Sequence, residues 1–470
     1  MPVRQISRLL SRTPRRGLHT LPPHRDAIIA STGTVGPFGG SDGGTVGGSV
    51  ADGWEDLRSA FEANFADSLE LGAQLVVYKE GVPVVDLHGH SPAQPGYGAQ
   101  TMQNVFSSGK NLEAIACMIL VDRGKLKYDD KVADHWPAFG QHGKAHIAVE
   151  DVLRHESGLQ FFVDPEHPDD FSKNRVPKIA DVEATASGAV ERIIEGSGCW
   201  GYGQRMYHAS TRGFVIGGLV RQVTGQTLGQ FIRTEIAEPL GISVLCGTPL
   251  EEQSSYEYSD MKSVGLGYTL GREVLPALVG LGGNAETLAT FKMIGSAFTD
   301  SKHPLRGYSK AMPKEWASGG GDKHHVNTPE GRTLEVSSGG IQSNARSLAK
   351  LSGMLANGGE ANGVRLVSEE TVRLALSEPK LLRDDVWRMT FASTRGGFAD
   401  FGTFVELAGL PNYSAAERQQ GFTGWAGKGG SLFLFDRQRN LGFAYLMNGM
   451  MNGSAGGLRT ERLLEVLRRK

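Results

Sequence analysis

Hydrophobic positions in this chain change period twice, and those changes outline the fold. Trp54, Leu57, Phe61 and Phe65 recur every three or four residues and predict a helix with one buried face, with Asp52 as its N-cap. Residues 74–78 and 82–88 then read as two strands parted by Glu80-Gly81, which predicts a hairpin; Pro83 is tolerable so near a strand's beginning. The helical period returns after Ser107 and runs to about Val121, where Arg123-Gly124 closes it. Residues 129–241 are mostly helical in pattern, including 213–223 closed by Gly225, and 345–357 form another helix stopped by Gly358-Gly359. Strand patterns come back at 386–393, 398–408, 430–435 and 441–447, before an amphipathic helix at 458–467.

Strands first and last with helices between predict an α+β fold. One antiparallel sheet is built from both chain ends and flanked by helices, with a helical subdomain inserted in the middle. A cleft between the two is the expected place for chemistry.

Composition changes this picture only at the N-terminus. With 470 residues, 39% of them hydrophobic, the chain is long enough for a large core. A formal net charge of -2 offers no basic surplus for nucleic acid, and no apolar run reaches the roughly 18–20 residues of a membrane span. Cys117, Cys199 and Cys246 follow no metal or redox spacing, and Cys117 lies in an apolar run where an inert buried thiol is expected. Residues 33–53 are dense in glycine and read as a flexible linker. Ahead of them Arg4, Arg8 and Arg12 share one helical face, Val3, Ile6 and Leu10 another, and no acid occurs before Asp26. That pattern is expected of a mitochondrial transit peptide; a basic tail on a cytoplasmic protein is the alternative. The chain therefore divides into 1–45, address and linker, and a folded domain over 46–470.

Four Ser-x-x-Lys tetrads occur: Ser107 to Lys110, Ser259 to Lys262, Ser347 to Lys350 and Ser377 to Lys380. Nucleophilic use of the serine wants it at the first turn of a helix, so that the lysine falls on the same face and unpaired N–H groups are at hand for an oxyanion. Ser347 lies inside a helix and reads as part of a solvated face, Ser259 lies in a loop, and Ser377 lies at a helix end with Pro379 beside its lysine. Only Ser107 follows an extended segment (103–106) and precedes a long apolar helix. For Lys110 to act as base, its pKa of ~10.4 must fall by roughly three units through burial and a nearby cation.

Around this tetrad stand further blocks: residues 72–78 with 84–87, Phe106-Ser107-Ser108-Gly109-Lys110, Val152 to Leu159, Tyr207-His208-Ala209-Ser210-Thr211, Pro239 to Ile242, Gly424 to Ser431 and Leu441 to Tyr445. In this order they resemble the family of class C β-lactamases, penicillin-binding proteins and carboxylesterases, and more closely its eukaryotic β-lactamase-domain branch. The resemblance implies a β-lactamase/transpeptidase-like fold and a serine hydrolase acting on a small ester, amide or peptide-like substrate, with no cofactor. Ser107 is implied as nucleophile, Lys110 as base, and Tyr207 as proton relay to the leaving group. Backbone N–H groups of Ser107 and of Lys428, the latter on an edge strand, are implied as the oxyanion hole, and Ser338-Gly339-Gly340 as cleft lining. Two positions depart from the pattern. Ala209 replaces the usual asparagine, and Trp425 stands where the third motif, through Gly427 and Lys428, normally starts with a substrate-binding cation. Tryptophan cannot bind a carboxylate, so uncharged esters or amides are expected to suit the site better than penicillins. A catalytically weak protein keeping the fold for binding or assembly is the alternative, and a D-amino-acid peptidase a third reading. No metal centre is expected: His155-Glu156 lacks a second histidine at metalloprotease spacing, and Asp322, His324 and His325 read as a solvated loop.

Overall fold

A computed structural model describes residues 44–265, 324–387, 389–407, 421–451 and 457–470, with a few isolated positions besides. The first twenty residues and Asp322 lie outside them.

Nine strands form one antiparallel sheet: β1 (Thr45–Val50), β2 (Gly72–Lys79), β3 (Val82–His90), β4 (Lys380–Asp384), β5 (Met389–Ser393), β6 (Ala399–Leu407), β7 (Thr423–Ala426), β8 (Leu432–Asp436) and β9 (Leu441–Met447). Their spatial order is β1-β3-β2-β9-β8-β7-β6-β5-β4. The two ends of the chain meet where β2 pairs with β9, Leu75 opposite Tyr445. The β2–β3 hairpin turns at Glu80 and Gly81, both with positive φ, as a tight hairpin between right-twisted strands requires.

Helices cover both faces of the sheet. On one side α1 (Glu55–Ala66) and α6 (Leu458–Leu467) bury Phe61, Phe65, Leu463 and Leu464 with Leu75, Val77, Phe443 and Tyr445. On the other, α2 (Lys110–Asp122), α4 (Thr211–Thr224) and α5 (Ala345–Ala356) pack with Val76, Phe433 and Ala444 in the larger core. The short helix α3 (Val149–Leu153) joins this second layer. Alternate residues of β2 thus serve opposite cores, the period-two logic of a strand buried on both faces. Every residue of α2 from Lys110 to Leu120 is buried, which places Lys110, Asn111 and Glu113 at the buried head of a helix that is apolar from Ala114 to Val121.

Several expectations need correction. The end of the glycine-rich stretch is strand β1, not linker. A Cβ on Gly48 would lie 1.9 Å from the Asp86 carbonyl, so glycine serves close strand approach there. Helix α1 starts after Trp54 rather than at Asp52, because the chain first turns through Ala51, whose carbonyl accepts from the Trp54 N–H. Strands β4 and β7 carry too short a pattern to announce themselves. Ser347 and Lys350 do not make a solvated face: Ser347 is buried and accepts from the Ser243 N–H, and Lys350 donates to the Leu240 carbonyl at 2.5 Å.

Candidate active site

Between Asn104 and α2 the chain makes a single 3-10 turn, Phe106–Gly109, so the helix proper begins at Lys110, one turn later than expected. Phe106 enters this turn with φ +48°, a costly conformation for an aromatic residue. It is held by the Asn104 side chain, which accepts from the Phe106 N–H at 2.9 Å. Ser108 Oγ bonds Ser431 at 3.1 Å, and Ser431 Oγ donates to the Val105 carbonyl at 2.9 Å, locking the turn to the β7–β8 connection. Gly427 sits at that junction, where a Cβ would lie 2.3 Å from the Val105 carbonyl. One residue of the stretch 101–120 escapes full burial: Ser107.

Ser107, Lys110 and Tyr207 converge. Lys110 Nζ is 3.4 Å from Ser107 Oγ, and the Tyr207 hydroxyl donates to the same oxygen at 2.6 Å. Lys110 also donates to the carbonyls of Ala209 (2.6 Å) and Ser338 (3.1 Å) and lies 4.8 Å from the Tyr207 ring centroid. Burial is the main force lowering the Lys110 pKa to about 7; the Glu113 carboxylate opposes it and the Arg212 guanidinium assists. Burial raises that of Tyr207. A lysine neutral near pH 7 has two N–H donors and one lone pair, and its surroundings offer two carbonyls and one hydroxyl.

Tyr207 is fixed from behind by two histidines. His208 donates through Nδ1 to the Met206 carbonyl and accepts through Nε2 from Ser157 and Leu159, while the His208 N–H donates to His155 Nδ1 at 3.0 Å. Burial drives the His208 pKa down to about 3 and that of His155 well below its usual value, so both stay neutral.

Other positions stand apart from the reacting group. Trp425 is 6% exposed and packs beneath Tyr207, 5.9 Å between centroids, with its indole N–H donating to the Gly397 carbonyl at 2.8 Å. It is a floor under the tyrosine rather than a cleft-facing side chain. Lys428 lies past the end of β7 in a turn, not on an edge strand, since β7 is flanked by β6 and β8. Its ammonium stands 5.9 Å from the Phe106 ring. Among the described residues, no protein acceptor takes the backbone N–H of Ser107 or of Lys428. Ser259 and Ser377 stay in a loop and a helix end.

Sequence reasoning missed four residues. Glu113 and Arg212 form a fully buried ion pair (2.9 Å) behind Lys110, and Ser338 joins it by donating to Glu113 at 2.5 Å. Glu113 was detectable as the residue one turn beyond Lys110; Arg212 fell just outside a helix drawn to begin at residue 213. His324 is not solvated but buried edge-on against Phe106, 5.4 Å between centroids, and desolvation lowers its pKa to about 4. Trp387, half-buried, packs edge-on against Tyr207 with 5.6 Å between centroids.

Known proteins share this architecture. The beta-lactamase family profile matches residues 61–468. An "Esterase/beta-lactamase LipL" of Mycobacterium tuberculosis is 27% identical over 400 residues, 84% of this chain and 80% of that protein. Among solved structures, a family VIII carboxylesterase superposes with TM-score 0.70 at 26% identity, over 90% of this chain and 99% of its own. A penicillin-binding protein homolog from Caulobacter crescentus gives 0.68 at 28%, with the same coverage. Matched over most of its length and built around one nine-stranded sheet, the chain belongs to the beta-lactamase family, whose relatives here are hydrolytic proteins of esterase and penicillin-binding type.

Proposed function

We propose that this protein hydrolyses small uncharged esters or amides through an acyl-enzyme on Ser107. The observation that carries this reading is the double engagement of Ser107 Oγ, by the Lys110 amine at 3.4 Å and the Tyr207 hydroxyl at 2.6 Å. Near pH 7 a substantial share of Lys110 is neutral, and its lone pair takes the Ser107 proton as Oγ bonds to the substrate carbonyl carbon. The oxyanion is received by the unpaired N–H groups of Ser107 and Lys428. Tyr207 gives its proton to the departing oxygen or nitrogen as that bond breaks, and Lys110 returns a proton to Tyr207. Water then attacks the ester on Ser107 by the reverse route, freeing the acid.

Preference for uncharged substrates rests on Trp425, which takes the position where the third motif normally starts with a cation and is turned inward. The relative named as both esterase and beta-lactamase and the carboxylesterase among the structures support ester hydrolysis as such. The basic, acid-free first twenty residues further suggest mitochondrial import, testable by following a fluorescent fusion with and without them.

A fluorophosphonate probe followed by mass spectrometry tests the mechanism. An adduct on Ser107, absent from Ser107→Ala, is the expected result. A folded protein that takes no label is instead a non-catalytic member serving binding or assembly. Turnover of short p-nitrophenyl esters should exceed that of a penicillin; the opposite order defeats the substrate assignment.

A further inference from the structure

Lys110 carries a problem that burial alone does not solve. Glu113 lies one turn further along α2, fully buried, and a carboxylate at that range stabilises the ammonium form. Left alone, it would work against the base.

Arg212 stands where it cancels this charge. It is the second residue of α4, fully buried, with its Nε 2.9 Å from the Glu113 carboxylate. One terminal nitrogen donates to the Lys110 backbone carbonyl at 2.9 Å, so the guanidinium is tied to both ends of the Lys110–Glu113 turn. The other donates to the Leu153 and Gly397 carbonyls at 3.2 and 3.3 Å. Its face lies 5.5 Å from the Trp425 ring, next to the position that lacks the third-motif cation. We propose that Arg212 is the cation with which this site offsets Glu113 and leaves Lys110 able to act as a base. The inference rests on the acyl-enzyme reading above and assigns Arg212 as a positioning residue, since it does not touch the nucleophile.

Other groups around Lys110 do not supply that charge. Tyr207 faces it as a neutral phenol, and His155 and His208 are neutral from behind. The carbonyls of Ala209 and Ser338 favour the ammonium if anything, and Cys117, on the same helix, is held as a thiol by burial. Buried Asp384, beyond Tyr207, has its pKa raised by burial to about 7, so its charge also changes near neutrality. It is anchored by the Val386 and Trp387 N–H groups and remains in every variant used below.

The test is the acidic limb of kcat/KM for a p-nitrophenyl ester, backed by side-chain NMR titration of Lys110 in Ser107→Ala protein. Arg212→Met should move the limb to higher pH by about one unit, Glu113→Gln should move it down, and the double variant should return it near wild type. Arg212→Lys, keeping the charge, should restore most of the shift. A folded Arg212→Met with an unmoved limb, or Glu113→Gln with a limb unmoved or raised, overturns the inference; if Arg212→Met does not fold, Glu113→Gln decides alone. Because the NMR titration does not need turnover, a protein that fails to label on Ser107 sinks the enzymatic reading while the charge balance is still read directly.

Discussion

Among the described residues, two arginine–glutamate pairs have both side chains wholly shut off from solvent, and they do opposite work. Glu113–Arg212 and Glu70–Arg459 are each fully buried with a 2.9 Å contact. Behind the nucleophile, Glu113 also accepts from Ser337 and Ser338, and a third ionisable group, Lys110, lies on the next turn. On the side of the sheet covered by α1 and α6, Glu70 accepts from Tyr445 and Arg459, while Arg459 reaches the carbonyls of Leu69 and Gly429. That second pair clamps α6 to the entry of β2 and to the turn that follows Lys428. A buried pair near a reacting group acts on its proton; the same pair among carbonyls acts only on geometry. Neither is evidence of net stability, since desolvation of both charges offsets most of their attraction.

The largest separation between the two regions should come from Lys110→Met. Ester turnover should fall by about 10^4-fold, as expected when a general base is lost. Stability should move the other way. Lys110 has its pKa lowered to about 7 in the folded protein, so between about pH 10 and 7 the unfolded chain holds more protons and the wild type loses stability as pH falls, levelling off below 7. Replacing it by methionine should therefore stabilise the protein at pH 7 by about 1–3 kcal/mol, part of the gain being offset by the orphaned Ala209 and Ser338 carbonyls. The difference should shrink towards pH 10. Denaturant unfolding of both proteins at pH 7 and 10 measures it; equal stability at both pH values would contradict the buried, neutral lysine.

Arg459→Met should break the second region without changing the protonation of Lys110; because Arg459 also anchors the turn after Lys428, kcat/KM should fall in height. Removing one member of a buried pair costs about 3–5 kcal/mol, but Glu70 limits the damage because burial already raises its pKa to about 7, and without Arg459 it takes up a proton more readily still. The loss should accordingly be smaller at pH 5 than at pH 8. The acidic limb of kcat/KM should not move. A displaced limb would mean that the two pairs are electrostatically connected across the sheet.

How much of this was legible in the chain follows the same division. Ser107, Lys110 and Tyr207 could be read because each sits in a local pattern: a tetrad before an apolar helix, and a tyrosine within a recognisable block. The hairpin and the terminal helix were legible for the same reason, since Glu80-Gly81 and the spacing of Leu463, Leu464 and Leu467 are local signals. Arg212 and Arg459 were not, because a buried charge is defined by a partner 99 or 389 residues away in sequence, and nothing near it reveals burial. Strand β7 escaped for a related reason: its four residues, Thr-Gly-Trp-Ala, gain strand character only from the neighbours β6 and β8. His324 was read as solvated because its polar, glycine-rich flanks look like a loop, whereas Phe106 across the fold covers it.

Trp425→His is the smallest and sharpest of these experiments, because the sequence pattern and the structure expect different things of it. By motif alone, histidine at this position returns the family's cation and should raise activity on carboxylate-bearing substrates. In the folded protein the indole is buried against His155 at 5.2 Å and Arg212 at 5.5 Å. A histidine placed there meets the burial and the guanidinium that already keep His155 neutral, so it too should remain uncharged from pH 6 to 8. It would also leave part of the indole's volume empty beneath Tyr207, at a cost of about 2 kcal/mol. The expected outcome is a less stable protein with no gain in penicillin turnover. A gain of tenfold or more at neutral pH would mean that a charge can be carried under Tyr207 after all, and that Glu113–Arg212 is not what sets the protonation of Lys110.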